Sequence, residues 1–300
     1  MDKDTLSGYH PTVAMLFFVL VIGSTMFIQH PVLLAMSFLG SLSYSIYLNG
    51  RKAIRFNLMY MMPLLLIAML LNPAFSHQGV TILTYLPSGN PLTLESIVYG
   101  VHAAFMLITV ITWFSGFNKV MTSDKFVYLF GRIIPAMSLV LSMALRFVPR
   151  FTAQIKIIAN AQRCVGRDVS NGGVLQRAKH GIKILSMLVT WSLENAIDTA
   201  DSMKSRGYGL PKRSAFSIFR FDKRDRWAML FLLIAGGLLI SGSLTSQLLF
   251  WYYPVLTSAP LTVFQVIVFI SYLALSLMPM LLNLKVDLTW RTLQASASKV

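Results

Sequence analysis

Two short arginine–glycine runs carry the most distinctive chemistry in this sequence. Ser205-Arg206-Gly207 closes one long stretch of helical periodicity, and Gln162-Arg163-Cys164-Val165-Gly166-Arg167 closes another. Glycine just past the last helical residue is a common terminator, because it enters the left-handed backbone region at little cost. A cation at that end is favoured by the helix dipole. An arginine there offers more than charge. Its planar guanidinium holds five donors in a fixed fork and can lock onto backbone carbonyls or carboxylates of a second protein. The plainer reading is that Arg206 only completes a helix cap. Two such ends, some forty residues apart, have the form of a grip on two sites.

The elements that position these ends are two amphipathic helices. The first is expected over 150–162, where Phe151, Ile155 and Ile158 share one face at 3–4 spacing. Gly166, Gly172 and Gly173 break the pattern around Asp168, Ser170 and Asn171. The second is expected over about 175–205. Ile182, Leu185, Val189, Leu193, Ala196, Ala200 and Met203 recur at 3–4 spacing, and Lys183, Glu194, Asn195, Asp198, Asp201 and Lys204 lie away from them. Gly207, Gly209 and Pro211 stop it. Both helices belong to a basic stretch, 146–224, with fifteen of the 26 Lys and Arg against five acids.

The rest of the 300-residue chain is apolar. Hydrophobic residues make up 55% and charged ones 12%, about half the usual share in a soluble domain. Repeated near-spanning apolar runs imply an all-α polytopic membrane protein. Residues 1–145 are read as amino-terminal transmembrane helices, 146–224 as a cytoplasmic insert of long amphipathic helices, and 225–300 as a transmembrane hairpin with a cytoplasmic tail. The expected spans are 13–28, 32–48, 58–71 (kinked at Pro63), 97–114, 227–249 and 261–284. His30-Pro31 marks a tight turn between the first two, and Arg51, Lys52 and Arg55 a short loop on the cytoplasmic side. Residues 80–86 are a candidate for a shallow re-entrant or interfacial segment. Gly236, Gly237, Ser241, Gly242 and Ser243 permit close helix contact, and 250–253 form an aromatic belt. Residues 126–145 are apolar enough to span but contain Arg132 and Pro135. A full crossing there would put the basic stretch outside, against a preference of about 1 kcal/mol per basic residue near an anionic leaflet. The segment is therefore read as tilted, broken or interfacial, unless one of the other spans is really two. Both termini are expected in the cytoplasm, and the membrane is expected to be a prokaryotic plasma membrane.

Composition and motifs exclude several classes. The basic charge sits where the positive-inside rule puts it, so no nucleic-acid partner is expected. The single Cys164 leaves no intrachain disulfide. His10, His30, His77, His102 and His180 lack metal-ligand spacing, and His102 reads as a packed or hydrogen-bonding histidine. No phosphate loop is present, so neither a cofactor nor ATP is expected to bind this chain, and no enzyme activity is expected. No acid sits within a span for proton coupling.

Over nearly its whole length the sequence resembles the transmembrane coupling component of energy-coupling factor transporters, the EcfT or CbiQ family. The resemblance is most specific at Ser192-Leu193-Glu194, Ala200, Met203, Ser205-Arg206-Gly207-Tyr208-Gly209-Leu210-Pro211 and Arg213, with His10-Pro11 and His30-Pro31 similar to the family's amino-terminal pattern. The family carries an Ala-Arg-Gly type motif at each of two coupling-helix ends. Arg206 matches the second arginine, with Ser205 in place of alanine. In the first, Gly166 is retained and Val165 stands at the arginine position; either Arg163 or Arg167 substitutes, or that side grips more weakly. The resemblance implies that two cytoplasmic ABC-type ATPases, which bind ATP and magnesium, receive these ends. It implies that the helix face 182–203 passes their motion to a separate small substrate-binding membrane subunit, the S component, for vitamin or transition-metal uptake. By this reading Val165→Arg is expected to be tolerated or to tighten assembly. The competing readings are a secondary transporter, which needs polar residues within the spans, and a membrane scaffold without ATPase partners. Neighbouring genes for paired ATPases would favour the coupling component.

Overall fold

The computed structural model describes residues 4–85, 90–131, 134–170, 172–208 and 219–297. Arg132, Asn171, Gly209, Leu210, Pro211 and Arg213, singled out above, lie outside them. The helices are α1 (Pro11–Phe27), α2 (Pro31–Asn49), α3 (Arg51–Phe56), α4 (Met62–Phe75), α5 (Leu94–Val120), α6 (Ser123–Gly131), α7 (Pro135–Cys164), α8 (Val174–Ser205), α9 (Lys223–Leu244) and α10 (Val263–Ala297). Two small antiparallel pairs complete the described elements: β1 (Ile82–Tyr85) with β2 (Pro91–Thr93), and β3 (Phe250–Trp251) with β4 (Thr257–Ser258). Among the described residues five helices are long and apolar enough to cross a membrane: Pro31–Asn49, Arg51–Phe75, Leu94–Val120, Lys223–Leu244 and Val263–Gln294; Pro11–Phe27 is a shorter apolar helix. The chain is an all-α polytopic membrane protein, as its composition implies.

The His-Pro pairs start the first two helices by one device. The Nδ1 atoms of His10 and His30 accept from the backbone N–H of Thr12 and Val32, each at 3.3 Å. Pro11 and Pro31 take the first helical position, where no backbone donor is required. The loop expected around Arg51, Lys52 and Arg55 is instead helical, and α3 continues into α4 through a π-helical turn at Asn57–Met61. Pro63 accounts for that turn. Its ring crowds the carbonyl four residues back, at Met59, and the wider turn absorbs the misfit. Within and beyond the stretch 80–86, Ile82–Tyr85 pairs antiparallel with Pro91–Thr93 as β1 and β2. Buried Glu95, in the first turn of α5, fastens the hairpin by accepting from Thr81 Oγ1 at 2.8 Å and Thr81 N at 3.2 Å.

Residues 1–122 and 219–300 form one compact unit, and residues 123–218 a second. The first unit is held by a true core. Val13, Phe17, Phe18 and Val21 of α1 are buried with Tyr44 of α2, Trp113 of α5 and Tyr272 of α10. Phe17 meets the Trp113 ring edge-on at 5.7 Å. Trp113 Nε1 donates to Ser37 Oγ at 2.9 Å, and Thr25 Oγ1 lies 2.7 Å from that same oxygen, so the buried polar atoms are paired. A side chain at Gly40 would meet Ser276 O at 2.8 Å, so glycine sets the approach of α2 to α10. Before α1, Asp4 accepts from Tyr44 Oη and Asn283 Nδ2, and Arg224 donates to Gly8 O at 3.0 Å over the Tyr9 ring. Arg220, Lys223 and Arg224, the end of the basic stretch, thus belong to the first unit.

The second unit holds α6, α7 and α8. The first amphipathic helix is longer than its sequence pattern suggests. α7 runs unbroken from Pro135 through Pro149 to Cys164, joining the apolar segment to the basic one. Within 126–145, α6 ends at Gly131 and α7 begins at Pro135.

Candidate functional site

The two helix ends close with the same backbone geometry, residue for residue. At the end of α7, Gly166 N donates to Arg163 O at 3.0 Å and Arg167 N to Gln162 O at 2.9 Å. At the end of α8, Gly207 N donates to Lys204 O and Tyr208 N to Met203 O, each at 3.0 Å. This is the Schellman pattern, which satisfies carbonyls that the helix end would otherwise leave open. It requires a left-handed residue, and Gly166 and Gly207 supply it with φ of 76° and 80°. The cap residues before them are Val165 (φ −90°, ψ 12°) and Arg206 (φ −83°, ψ 7°). Val165 therefore occupies the place at the first end that Arg206 occupies at the second.

The side chains set the ends apart. Arg206 is exposed and makes no ion pair among the described residues. Val165 is 66% exposed, an apolar group presented to the surroundings. Arg163 is engaged within its own loop, with Nε 3.2 Å from Asp168 Oδ2. Asp168 also accepts from Ser170 N at 3.1 Å. Hydrogen bonding from Ser170, followed by the Arg163 charge, holds the Asp168 carboxyl below its ordinary value of 3.8. Arg167 is exposed one residue past the glycine, at the position matched by Tyr208 in the other cap.

α7 and α8 pack through only part of their apolar surface. Trp191 is the centre of the contact: Phe151 meets it edge-on at 5.8 Å and the Arg150 guanidinium lies 5.6 Å from its ring centroid. Gln162 Nε2 lies 3.5 Å from Met187 Sδ. Among the described residues of α8 only Ile184 is buried. The residues picked out by their spacing lie elsewhere on the helix. Ile182 (67%), Leu185, Val189 and Leu193 (62%) are exposed, as are Ala196 and Ala200, and Met203 is half-buried. They form one continuous apolar stripe leading to the Arg206 end. Sequence reasoning missed Trp191 and Ile184 as the packing residues. An aromatic at 191, seven residues after an isoleucine at 184, is the signal that was there to read.

Among the described residues no group of three or more His, Cys, Asp or Glu side chains has the arrangement of a metal site. His10 and His30 serve as helix caps, and the buried His102 ring stacks at a tilt on Tyr252, 4.9 Å between centroids.

Residues 2–218 match the family model CbiQ, described as cobalt transport protein. The chain is 39% identical over 108 residues to the energy-coupling factor transporter transmembrane protein EcfT of Lactobacillus helveticus, covering 36% of this chain and 39% of that protein. It is 37% identical over 108 residues to the protein of the same name from Lacticaseibacillus paracasei, covering 36% of this chain and 41% of the relative. A third, from Thermosediminibacter oceani, is 33% identical over 117 residues, covering 38% and 43% respectively. The matched segment spans about two fifths of the length of these relatives. The family model, by contrast, covers most of the chain and takes in both helix ends. The protein belongs to the EcfT/CbiQ family.

Proposed function

We propose that this chain is the transmembrane coupling subunit of an energy-coupling factor importer. It is a non-catalytic part of the transporter. The two capped ends, at Val165-Gly166 and at Ser205-Arg206-Gly207, dock in grooves on two cytoplasmic ABC-type ATPases that bind and hydrolyse ATP. Arg163 and Arg167 flank the first contact. The apolar stripe Ile182, Leu185, Val189, Leu193, Ala196, Ala200 and Met203 receives the small substrate-binding membrane subunit, and α7 and α8 carry the ATPase motion to it. The cargo is a vitamin or a transition-metal ion chosen by that subunit.

The observation that carries this reading is the pair of matched caps on two long helices beside an apolar stripe the chain leaves uncovered. α8 carries Lys183, Glu194, Asp198, Asp201 and Lys204 as well as the stripe, so it is not built as a lipid-spanning helix and its apolar face suits a protein partner. An arginine at a surface helix end suits a bidentate carboxylate contact.

Purification of the tagged protein from its native membrane in mild detergent tests the reading. ABC-type ATPase chains and a small membrane protein are expected in the eluate. Arg206→Glu reverses the charge at the contact and is expected to weaken ATPase binding by about 2–5 kcal/mol while leaving the helices folded. Full ATPase retention by that variant would sink the docking role of Arg206.

A further inference from the structure

Within the first unit α9 has two faces. Ala228, Leu232 and Ala235 are buried, while Lys223, Arg226, Trp227 and Leu230 are exposed. These four exposed residues, at 3–4 spacing, line a shallow pocket of about 330 Å³. Farther along the helix the exposed residues are aliphatic, with Leu233 at 58% and Ile234 at 56% exposure. No residue from 227 to 284 is charged, so Lys223 and Arg226 stand at the rim of a long uncharged stretch.

The charged groups around the pocket are committed differently. Asp225 is buried and accepts from His10 N at 3.1 Å and Asp222 N at 3.0 Å. Asp222 accepts in turn from the Asp225 backbone, which completes the cap of α9. Arg224 donates to Gly8 O and lies over the Tyr9 ring. The side chains of Lys223 and Arg226 make no ion pair or hydrogen bond among the described residues. Both acids are therefore used inside the fold, and two cations are left facing the pocket.

We propose that this pocket binds the headgroup of an anionic glycerophospholipid. Lys223 and Arg226 hold the phosphate, to which the Arg226 fork offers parallel N–H donors. Trp227 sits at headgroup level, with an apolar ring for the glycerol region and an indole N–H for an ester oxygen. Leu230, Leu233 and Ile234 carry the acyl chain along the helix. A soluble anion would use the cations and leave the aliphatic residues bare. An acidic protein segment would have to enter the bilayer to cover them. Charge followed by aliphatic surface on one helix therefore suits a ligand that is anionic at one end and apolar at the other. By the positive-inside rule this end of α9 lies at the cytoplasmic leaflet, where anionic lipids are at hand.

Native mass spectrometry of the full chain in mild detergent tests the site, with dioleoylphosphatidylglycerol and dioleoylphosphatidylcholine titrated separately. One phosphatidylglycerol is expected to be retained in preference. Lys223→Gln with Arg226→Gln is expected to weaken it by about 10–30-fold, the scale of two basic residues beside an anionic headgroup. Arg51→Gln with Lys52→Gln removes the same charge from exposed positions on α3 and is expected to change it by less than about threefold. Arg226→Lys keeps the charge and is expected to retain most of the preference. Equal retention of the two lipids by the wild type, or equal losses in the two double variants, would overturn the site. Displacement of the lipid by inorganic phosphate at equal concentration would make it a site for a free anion instead. Loss of co-purifying protein chains from the Lys223→Gln, Arg226→Gln variant, with lipid retention unchanged, would assign the pocket to an acidic protein and overturn the lipid assignment.

Discussion

Trp113 and Ile182 are both large apolar residues inside long helices, yet the first is fully buried and the second is 67% exposed. The contrast runs through the two units. In the first, α1, α2, α5, α9 and α10 close over their own apolar residues, and buried hydroxyls such as Ser37 and Thr25 are paired with one another. In the second, α8 buries Ile184, rests Trp191 against α7, and leaves the stripe from Ile182 to Ala200 open. The first unit has a buried core of its own, although α4 and much of the apolar surface of α9 and α10 stay exposed, whereas among the described residues of α8 only Ile184 is buried.

Four measurements would break or sharpen that comparison. Trp113→Ala removes a packed ring and the donor to Ser37, and is expected to cost about 3–5 kcal/mol. Thermal unfolding in detergent reads it, and an unchanged midpoint would mean that the first unit lacks the tight core described. Leu193→Asp is expected to leave that midpoint in place and to weaken capture of the small membrane subunit by about 2–3 kcal/mol. If co-purification and ATP-driven uptake stayed at wild-type level, the stripe would not be a working surface. Gly207→Ala forces an L side chain into φ 80° and is expected to fray the end of α8 by about 1 kcal/mol. Gly237→Ala, where a new methyl meets nothing within 4 Å, serves as the neutral comparison. Equal stability of the two variants would argue against the left-handed cap.

The smallest effect expected is a pH dependence confined to the α7 end. Asp168 has its folded value lowered, so the clasp with Arg163 and Ser170 is fully present above the ordinary 3.8 and is lost as pH falls through the lower folded value. Amide exchange over 162–170, corrected for intrinsic rate, is expected to be flat from pH 7 to pH 5 and to quicken only in strong acid. The α8 cap contains no such acid and is expected to stay constant. Loosening of the α7 cap between pH 5 and 7 would show that Asp168 is not what holds it.

The sequence and the structure agree best where a local rule decides. His30-Pro31 reads as the turn between the first two helices because a fixed φ acts within two residues, and the structure shows His10-Pro11 starting α1 by the same device. Gly166 and Gly207 read as stops because only the backbone of one residue is at issue. The register of the first motif, with Val165 facing the role of Arg206, is legible for the same reason. Expectation and structure part where residues distant in sequence compete. Arg51, Lys52 and Arg55 look like a loop by charge, yet the helix passes through them and yields only at the π turn before Pro63. Residues 82–85 are too short a run to reveal a strand until Pro91–Thr93 pairs with them.

By itself the sequence determined the class of the protein, the number of apolar runs, the two amphipathic helices and the chemistry at their ends, because each follows from composition or from spacing along one helix. The tertiary structure decided which side of α8 is spent on α7 and which remains open. Spacing marks an apolar face but not its neighbour, and Trp191 and Ile182 are equally apolar on paper. It also decided that Arg163 is engaged by Asp168 while Arg206 stays exposed. That difference arises because the cap at the first end is followed by an acid, Asp168, where the matching position 209 is glycine.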